Sequence, residues 1–416
     1  MLTNWAGNHR YVAASLGRPR SVAELQGVVA RAVRVRALGS RHSFTDIADT
    51  EGVLVSLEGL PVDPVLDEST ATVSIGGGAR YGDLAAWLQQ RGWALRNLAS
   101  LPHISVAGAV ATSTHGSGDT NPSLAAAVSG MDVVGPDGTL RRVSRGEKDF
   151  DGSVVALGAL GVVARLTLDV EPTFEVRQDI YLDLAWEVAL EHLDAVMSSA
   201  YSVSLVTNLC GDTVPQVWLK SRGTTPPEDL FGAIPAVRTT PMLLGAPTDA
   251  LTEQLGAPGP WLERLPHYRM EFTPSRGEEL QTEYLVPRPH AVTALEAARA
   301  LGELLAPILQ CAEIRSVASD SLWLSGSYDT DTIGLHLTWE RRPDEVYAVL
   351  PALEEVLLPL GARPHWGKCF GATAGDLAPL YPRFDDFREL RARTDPQDKF
   401  GNAFLDRVLG PSTPVN

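Results

Sequence analysis

Ile104-Ser105-Val106-Ala107-Gly108-Ala109-Val110-Ala111-Thr112-Ser113-Thr114-His115-Gly116 carries a small side chain at nearly every position. It sits in a longer stretch, 98–118, that is poor in charge and rich in Gly, Ala, Ser and Thr. Side chains this small are expected to offer too little surface for a packed helix, and the stretch is too long for a plain turn. They do let backbone N–H groups approach an anion closely, and successive N–H groups form a concave nest. Gly39-Ser40-Arg41-His42-Ser43 offers a second nest, after the alternating run Val33-Arg34-Val35-Arg36-Ala37. One such loop alone is more often a tight packing element. Two in the first half of a chain that has neither G-x-G-x-x-G nor G-x-x-x-x-G-K-[ST] point to a non-Rossmann dinucleotide site.

Outward from these loops, Ser21-Val22-Ala23-Glu24 is a capping box that predicts a helix to about Ala32. Alternation predicts strands over 53–57 and 71–75, and Gly76-Gly77-Gly78 leads into a helix over 82–90. Residues 131–143 read as a hairpin around Pro136-Asp137-Gly138, and 162–170 as another strand. Short helices and strands mix here without a regular βαβ rhythm, which predicts an α+β class. A second unit follows, with a strand over 174–181, a helix over 186–200 and strands near Val203 and Val217. The Pro- and Gly-rich 224–266 reads as an irregular excursion. Strands recur over 281–286, 311–316 and 332–340, with helices over 290–305 and 343–358.

Composition narrows the function classes. At about 150 residues per domain, 416 residues suggest two or three domains. Hydrophobic residues at 44% and charged residues at 21% are ordinary for a globular protein. The formal charge of −16 argues against nucleic acid and against anionic membrane as partners. No apolar run approaches the ~20 residues of a spanning helix. The first residues lack the apolar stretch of a signal peptide. Cys210, Cys311 and Cys369 are odd in number and far apart, which excludes a disulfide framework and a cysteine zinc site and suggests a reducing compartment. The nine histidines form no H-E-x-x-H or H-x-x-x-H pair, so no metal is expected, and a G-x-S-x-G elbow is missing.

Two late strands carry polar residues on one face. A period of two puts Glu313 and Arg315 on the side of Cys311, and His336 and Thr338 on the side of Gly334. Ile333, Leu335, Leu337 and Trp339 form the opposite, core face. If the strands are neighbours, Glu313, Arg315, His336 and Thr338 make a polar floor suited to a hydroxyl-rich ligand. The commoner alternative is a solvated sheet face with a surface Glu–Arg pair. Lys368, in His365-Trp366-Gly367-Lys368, is open to the same two readings: a surface lysine, or one placed near an alcohol in a dry site to help remove its proton.

The order of these pieces resembles a known family. G-S-x-H-S stands at 39–43, G-G-G at 76–78, S-L-P-H-I-S-V-A-G from Ser100, T-H-G-S-G from Thr114 and G-A-L-G-V-V from Gly158. E-I-R at 313–315, H-x-T at 336–338, H-W-G-K at 365–368 and D-P-x-x-K-F-x-N-A-F from Asp395 complete the series. Together they resemble the vanillyl-alcohol oxidase family of FAD enzymes, in its aldonolactone-oxidase-like branch and nearest to its alditol-oxidising members. The resemblance spans nearly the whole chain, from Asn4 to Phe404.

The resemblance implies a two-domain flavoprotein: an FAD-binding domain over 1–172, a substrate-binding cap on an antiparallel sheet over 173–367, and a segment 368–416 that returns to the FAD domain. It implies FAD carried covalently at its 8α position by His42. Gly39, Ser40, Arg41 and Ser43, with Ser105, Gly108, Ala109 and His115, would wrap the diphosphate, and Gly161 and Val163 would flank the adenine part. Ser100 would lie near the flavin and touch substrate. Glu313, Arg315, His336, Thr338 and Lys368 would be the polyol-binding and catalytic set. Lys368 or His336 would take the hydroxyl proton, and Arg315 would supply positive charge near the developing alkoxide. The implied reaction oxidises the terminal CH2OH of an alditol such as xylitol or sorbitol to the aldose and reduces O2 to H2O2. An aldonolactone oxidase or dehydrogenase is the alternative. A cytoplasmic monomer is expected, without metal, nucleic acid or membrane. Many relatives have glycine where this chain has Arg41; if that position needs a positive φ, arginine is costly there.

Overall fold

The computed structural model describes residues 2–412 except 224, 244–245 and 273–277. Thr224, where the predicted excursion begins, and 413–416, the end of the predicted C-terminal segment, lie outside the described residues. The architecture is α+β in two units.

In the first unit Ser15–Gly17, Val53–Ser56 and Val35–Leu38 form a parallel three-stranded sheet. Helix Val22–Arg31 makes the crossover, and the Ser21 side chain accepts from the Glu24 N–H as the capping box requires. One small parallel unit thus exists where no βαβ rhythm was read, because strands of three or four residues are too short to show a period. Beside it Val65–Asp67, Thr72–Gly76, Val162–Asp169, Val128–Val134 and Leu140–Ser144 pair antiparallel in that order. The last two are the predicted hairpin, with Gly138 at φ 82 in its turn.

The second unit is built on a nine-stranded sheet. Its six long strands run Glu175–Ala185, Thr213–Ser221, Ser202–Thr207, Leu309–Val317, Thr332–Glu340 and Glu279–Pro287, each antiparallel to the next. Helices Trp186–Glu191, Leu193–Met197, Ala291–Ala300 and Pro343–Leu357 cover one face. They share a core with Leu205, Ala312, Ile314, Leu335, Leu337 and Trp339. Alternation then turns Glu313, Arg315, His336 and Thr338 to the other face.

Three elements differ from expectation. The helix expected over 186–200 is two helices parted at His192 (φ −113, ψ 25). The one expected over 290–305 breaks at Leu301 (φ −87, ψ −1). The first break takes His192 out of helical geometry. Leu301 stays in the right-handed region, and its N–H turns to Ala298 O three residues back. Both leave the apolar spacing almost intact, so the pattern reads straight through them. The small-residue stretch holds a packed helix after all, Val106–Ala111, buried at Val106, Ala109 and Val110. Small side chains here permit closer packing instead of preventing it: a Cβ on Gly39 would stand 2.5 Å from Ser105 Oγ, and one on Gly108 2.7 Å from the same atom.

The end of the chain returns to the first unit. Phe370, Phe384, Phe387, Phe404 and Leu405 share a core with Val73, Ile75, Leu84 and Val106. The Arg36 guanidinium, buried at the start of this unit, donates to the carbonyls of Leu157 (2.7 Å), Phe400 (2.9 Å) and Gly158 (3.0 Å). Among the described residues no helix is long and apolar enough to cross a membrane.

Candidate active site

A cavity of about 300 Å³ lies between the two units. Gly39, Ser40, Arg41, His42, Ser43, Ser100, Ser105, Gly108, Ala109, His115, Gly161 and Val163 line it from the first unit. Glu313, Arg315, His336, Thr338 and Lys368 line it from the sheet and the turn after it. Every candidate residue read from the sequence therefore borders one cavity.

The floor is a register effect. Glu313 pairs with His336, Cys311 with Thr338 and Arg315 with Gly334 across the central strands. The third strand adds Glu283 beside His336 and Gln281 beside Thr338. Glu313 is 3% exposed and His336 8%, so the solvated-face reading fails. Two clusters occupy this floor. In one, Arg315 donates to the Glu313 carboxylate and, at 2.5 Å, to Ser100 Oγ. His267 Nε2 lies 2.9 Å from Glu313 Oε1. In the other, Lys368 Nζ contacts Glu283 Oε2 and donates to His336 Nδ1. His336 Nε2 lies 3.0 Å from Thr338 Oγ1, and His115 Nε2 lies 3.3 Å from Glu283 Oε1.

Burial and pairing set the charges. Burial pushes the Glu313 carboxyl up, but Arg315 and His267 hold it well below the usual carboxylate range. Burial likewise opposes ionisation of Glu283, and Lys368 and His115 overcome it. Burial lowers the Lys368 ammonium while Glu283 supports it. Burial, then Lys368, lowers His336 to about 4, so the ring is neutral at neutral pH. The floor thus carries two buried carboxylates, a fixed guanidinium and a lysine–imidazole pair, which together donate to and accept from hydroxyl groups.

The sequence did not single out Glu283, His267 or Lys220. Glu283 had a signal: Glu279, Gln281 and Glu283 alternate with Leu280, Thr282 and Tyr284, which is a polar face on a buried strand. His267 comes from irregular backbone, where no period exists to read, and Lys220 lies on an almost wholly buried strand.

The loops on the other wall are cross-linked. Ser105 N–H donates to Ser40 Oγ at 3.0 Å, and Ser40 N–H to Ser105 Oγ at 3.3 Å. Phe44 N–H donates to Gly367 O at 2.8 Å, which ties the His42 loop to the Lys368 turn. Arg41 has φ 64, the strained conformation foreseen if the position required it, costing about 1–2 kcal/mol. The Trp5 N–H holds it by donating to Arg41 O at 2.8 Å. Trp5 also stacks on His42, with ring centroids 5.3 Å apart. His42 Nδ1 is buried without a hydrogen-bond partner among the described residues, and burial lowers the imidazole to about 4. A neutral ring with an unpartnered nitrogen, beside two loops whose glycines leave no room for a Cβ, fits a flavin dinucleotide. Gly39, Ser40, Ser105 and Gly108 would hold its diphosphate and His42 would face its ring system.

The FAD binding domain family matches residues 13–144, and the D-arabinono-1,4-lactone oxidase family matches residues 272–408. The chain is 48% identical to an alditol oxidase of a Streptomyces species, over 98% of this chain and 99% of that one. It is 32% identical to an L-gulono-1,4-lactone dehydrogenase of Mycobacterium tuberculosis, again over 98% of this chain and 99% of the other. A crystal structure of cholesterol oxidase from B. sterolicum superposes with a TM-score of 0.77 at 15% identity, covering 98% of this chain and 96% of that one. At that identity the likeness speaks to the fold alone.

Proposed function

The chain belongs to the vanillyl-alcohol oxidase family of FAD enzymes, in its aldonolactone-oxidase-like branch, and from that premise we propose that it is an alditol oxidase. Its substrate is the terminal CH2OH of a polyol such as xylitol or sorbitol, and its products are the aldose and H2O2. The observation that carries this reading is the buried floor of Glu313, Arg315, His336, Thr338 and Lys368. A neutral chain of hydroxyls is bound only through hydrogen bonds, and a site of buried polar groups rejects analogues that leave them unpaired. The alditol oxidase likeness supports the same choice.

Held by the two loops and His42, FAD would supply the hydride acceptor for the alcohol carbon and the route of the electron pair to O2. The protein orients the alcohol and moves its proton. His336 has both ring nitrogens engaged, Nδ1 by Lys368 and Nε2 by Thr338, so it reaches a substrate hydroxyl only through a neighbour. Lys368 Nζ is that neighbour: as the neutral amine, which burial favours, it takes the hydroxyl proton and passes one of its own to His336 Nδ1. Glu283 balances the charge on the pair. Arg315 offers fixed positive charge to the developing alkoxide, and Glu313 accepts a second hydroxyl. Ser100, held by Arg315, faces the same end. On this reading 1–172 and 368–416 form the FAD-binding domain and 173–367 the cap.

A peroxide-coupled screen of the purified protein tests the assignment. Xylitol and sorbitol should give H2O2 at kcat/KM at least tenfold above gulonolactone. Preference for the lactone overturns it in favour of an aldonolactone oxidase, and turnover only with an artificial acceptor in favour of a dehydrogenase.

The covalent link has its own test. Acid-precipitated protein should stay yellow, and a flavin peptide should contain His42. His42→Ala should release all its flavin into the supernatant, while the two cross-linked loops still bind FAD before denaturation. Quantitative release from the unaltered protein sinks the link.

Glu313→Gln keeps shape and removes charge. It should raise KM for xylitol about tenfold, the scale of one lost hydrogen bond to a charged group, with a normal flavin spectrum. An unchanged KM returns Glu313 to a structural partner of Arg315.

A further inference from the structure

We propose that Lys220 is a positioning residue for the Glu313 carboxylate and acts by fixing the tautomer of His267. The inference rests on the reading of Glu313 as a group that binds substrate hydroxyls. Lys220 lies on strand Thr213–Ser221, two strands from Glu313 and Arg315 and on the same sheet face, and is 2% exposed. A buried ammonium is tolerated only when its N–H groups are used. Around Nζ stand three acceptors: Leu265 O, Pro266 O at 3.3 Å and His267 Nδ1 at 3.0 Å.

An ammonium donates and never accepts, so His267 Nδ1 must offer its lone pair. The neutral ring then carries its hydrogen on Nε2. That N–H points to Glu313 Oε1, 2.9 Å away, and donates to it. Arg315 also approaches Nε2, at 3.3 Å, but it could bond there only if Nε2 were an acceptor. It instead donates to Glu313 Oε2 and Ser100 Oγ. In the opposite tautomer an imidazole lone pair would face a carboxylate oxygen at 2.9 Å, and Glu313 would be pushed from its place. With Nε2–H fixed, one carboxylate oxygen is held by His267 and the other by Arg315, and the remaining lone pairs are free for hydroxyls.

The surroundings agree with a neutral ring. Burial, then Lys220, lowers His267 to about 4. Burial, with Arg315 next, draws the Lys220 ammonium well below the ordinary lysine value. Three acceptors around one nitrogen hold the proton against that pull. The Trp218 ring lies against His267 at 5.0 Å between centroids and offers no competing acceptor.

The test reads the tautomer directly and then its consequence. In the holoenzyme labelled with 15N-histidine, the His267 signals are those lost in His267→Gln. At neutral pH they should show an unprotonated Nδ1 and a protonated Nε2. Lys220→Met should raise KM for xylitol about tenfold while kcat falls less than threefold. Lys220→Gln, whose amide still offers an N–H to Nδ1, should stay within threefold in KM. In a His267→Gln background the amide donor needs no tautomer, so adding Lys220→Met should change KM less than twofold. A protonated Nδ1 in the unaltered protein overturns the proposal. So does a normal KM in Lys220→Met, or an equal effect of Lys220→Met in both backgrounds. If Lys220→Met does not fold, the spectrum of the unaltered protein decides alone. Failure of the alditol reading is separate: the unaltered enzyme would not turn over alditols, while the spectrum needs no substrate.

Discussion

With Lys368 replaced by methionine, anaerobic reduction of the flavin by saturating xylitol slows about 100-fold or more, equivalent to ~2.7 kcal/mol of barrier at 1.36 kcal/mol per decade. An alcohol gives up a hydride poorly while it keeps its hydroxyl proton, and the other base of the floor is a poor substitute. Losing Lys368 frees His336 Nδ1, but burial holds that imidazole well below its ordinary value and leaves it a weak base. The variant should keep its bound flavin, because the Lys368 side chain bonds to Glu283 and His336, on the sheet and away from the His42 loop. It should also melt lower, since Glu283 loses its closest cation and stays 1% exposed in its side chain. Adding Glu283→Gln to Lys368→Met should restore the melting temperature and leave reduction slow. Stopped-flow reduction at the unaltered rate in Lys368→Met rules out the proton role.

The strands of the floor were legible because two faces of each had different jobs. Thr332–Glu340 alternates so strictly that its ends were placed to the residue, and Glu313 and Arg315 followed from the same period. The period could not say whether the polar face met solvent or a second unit. That depended on which distant segments fold against the sheet, which no window of sequence contains. His42, Ser105 and Lys368 came together only through loops that pair across 65 or more residues, as Ser40 and Ser105 do. Motif order could signal this, whereas local propensity could not. His267 shows the limit: it reaches Glu313 from irregular backbone over 46 positions, with nothing local to mark it.

Glu283→Gln should produce the largest loss of stability among the single changes. The carboxylate is the anion shared by Lys368, at Oε2, and His115, at Oε1, with His336 Nδ1 3.7 Å away. Removing one partner of a buried pair leaves the other charge without compensation, at a cost of about 3–5 kcal/mol, which a thermal melt of the holoenzyme would read as a fall of several degrees. The same change has a second consequence with a definite sign. Burial lowers the Lys368 pKa and Glu283 raises it, so the variant lowers it further. If the amine of Lys368 accepts the hydroxyl proton, its unprotonated form must persist to lower pH in the variant. The acid limb of the flavin-reduction rate should therefore move to lower pH. A limb that stays in place or moves up would assign the limiting proton to another group. A normal melt would show that His115 and Lys368 do not depend on this carboxylate. The two readouts separate because the stability loss follows from unpaired charge, whatever the reaction is. The shifted limb requires Lys368 to handle the proton.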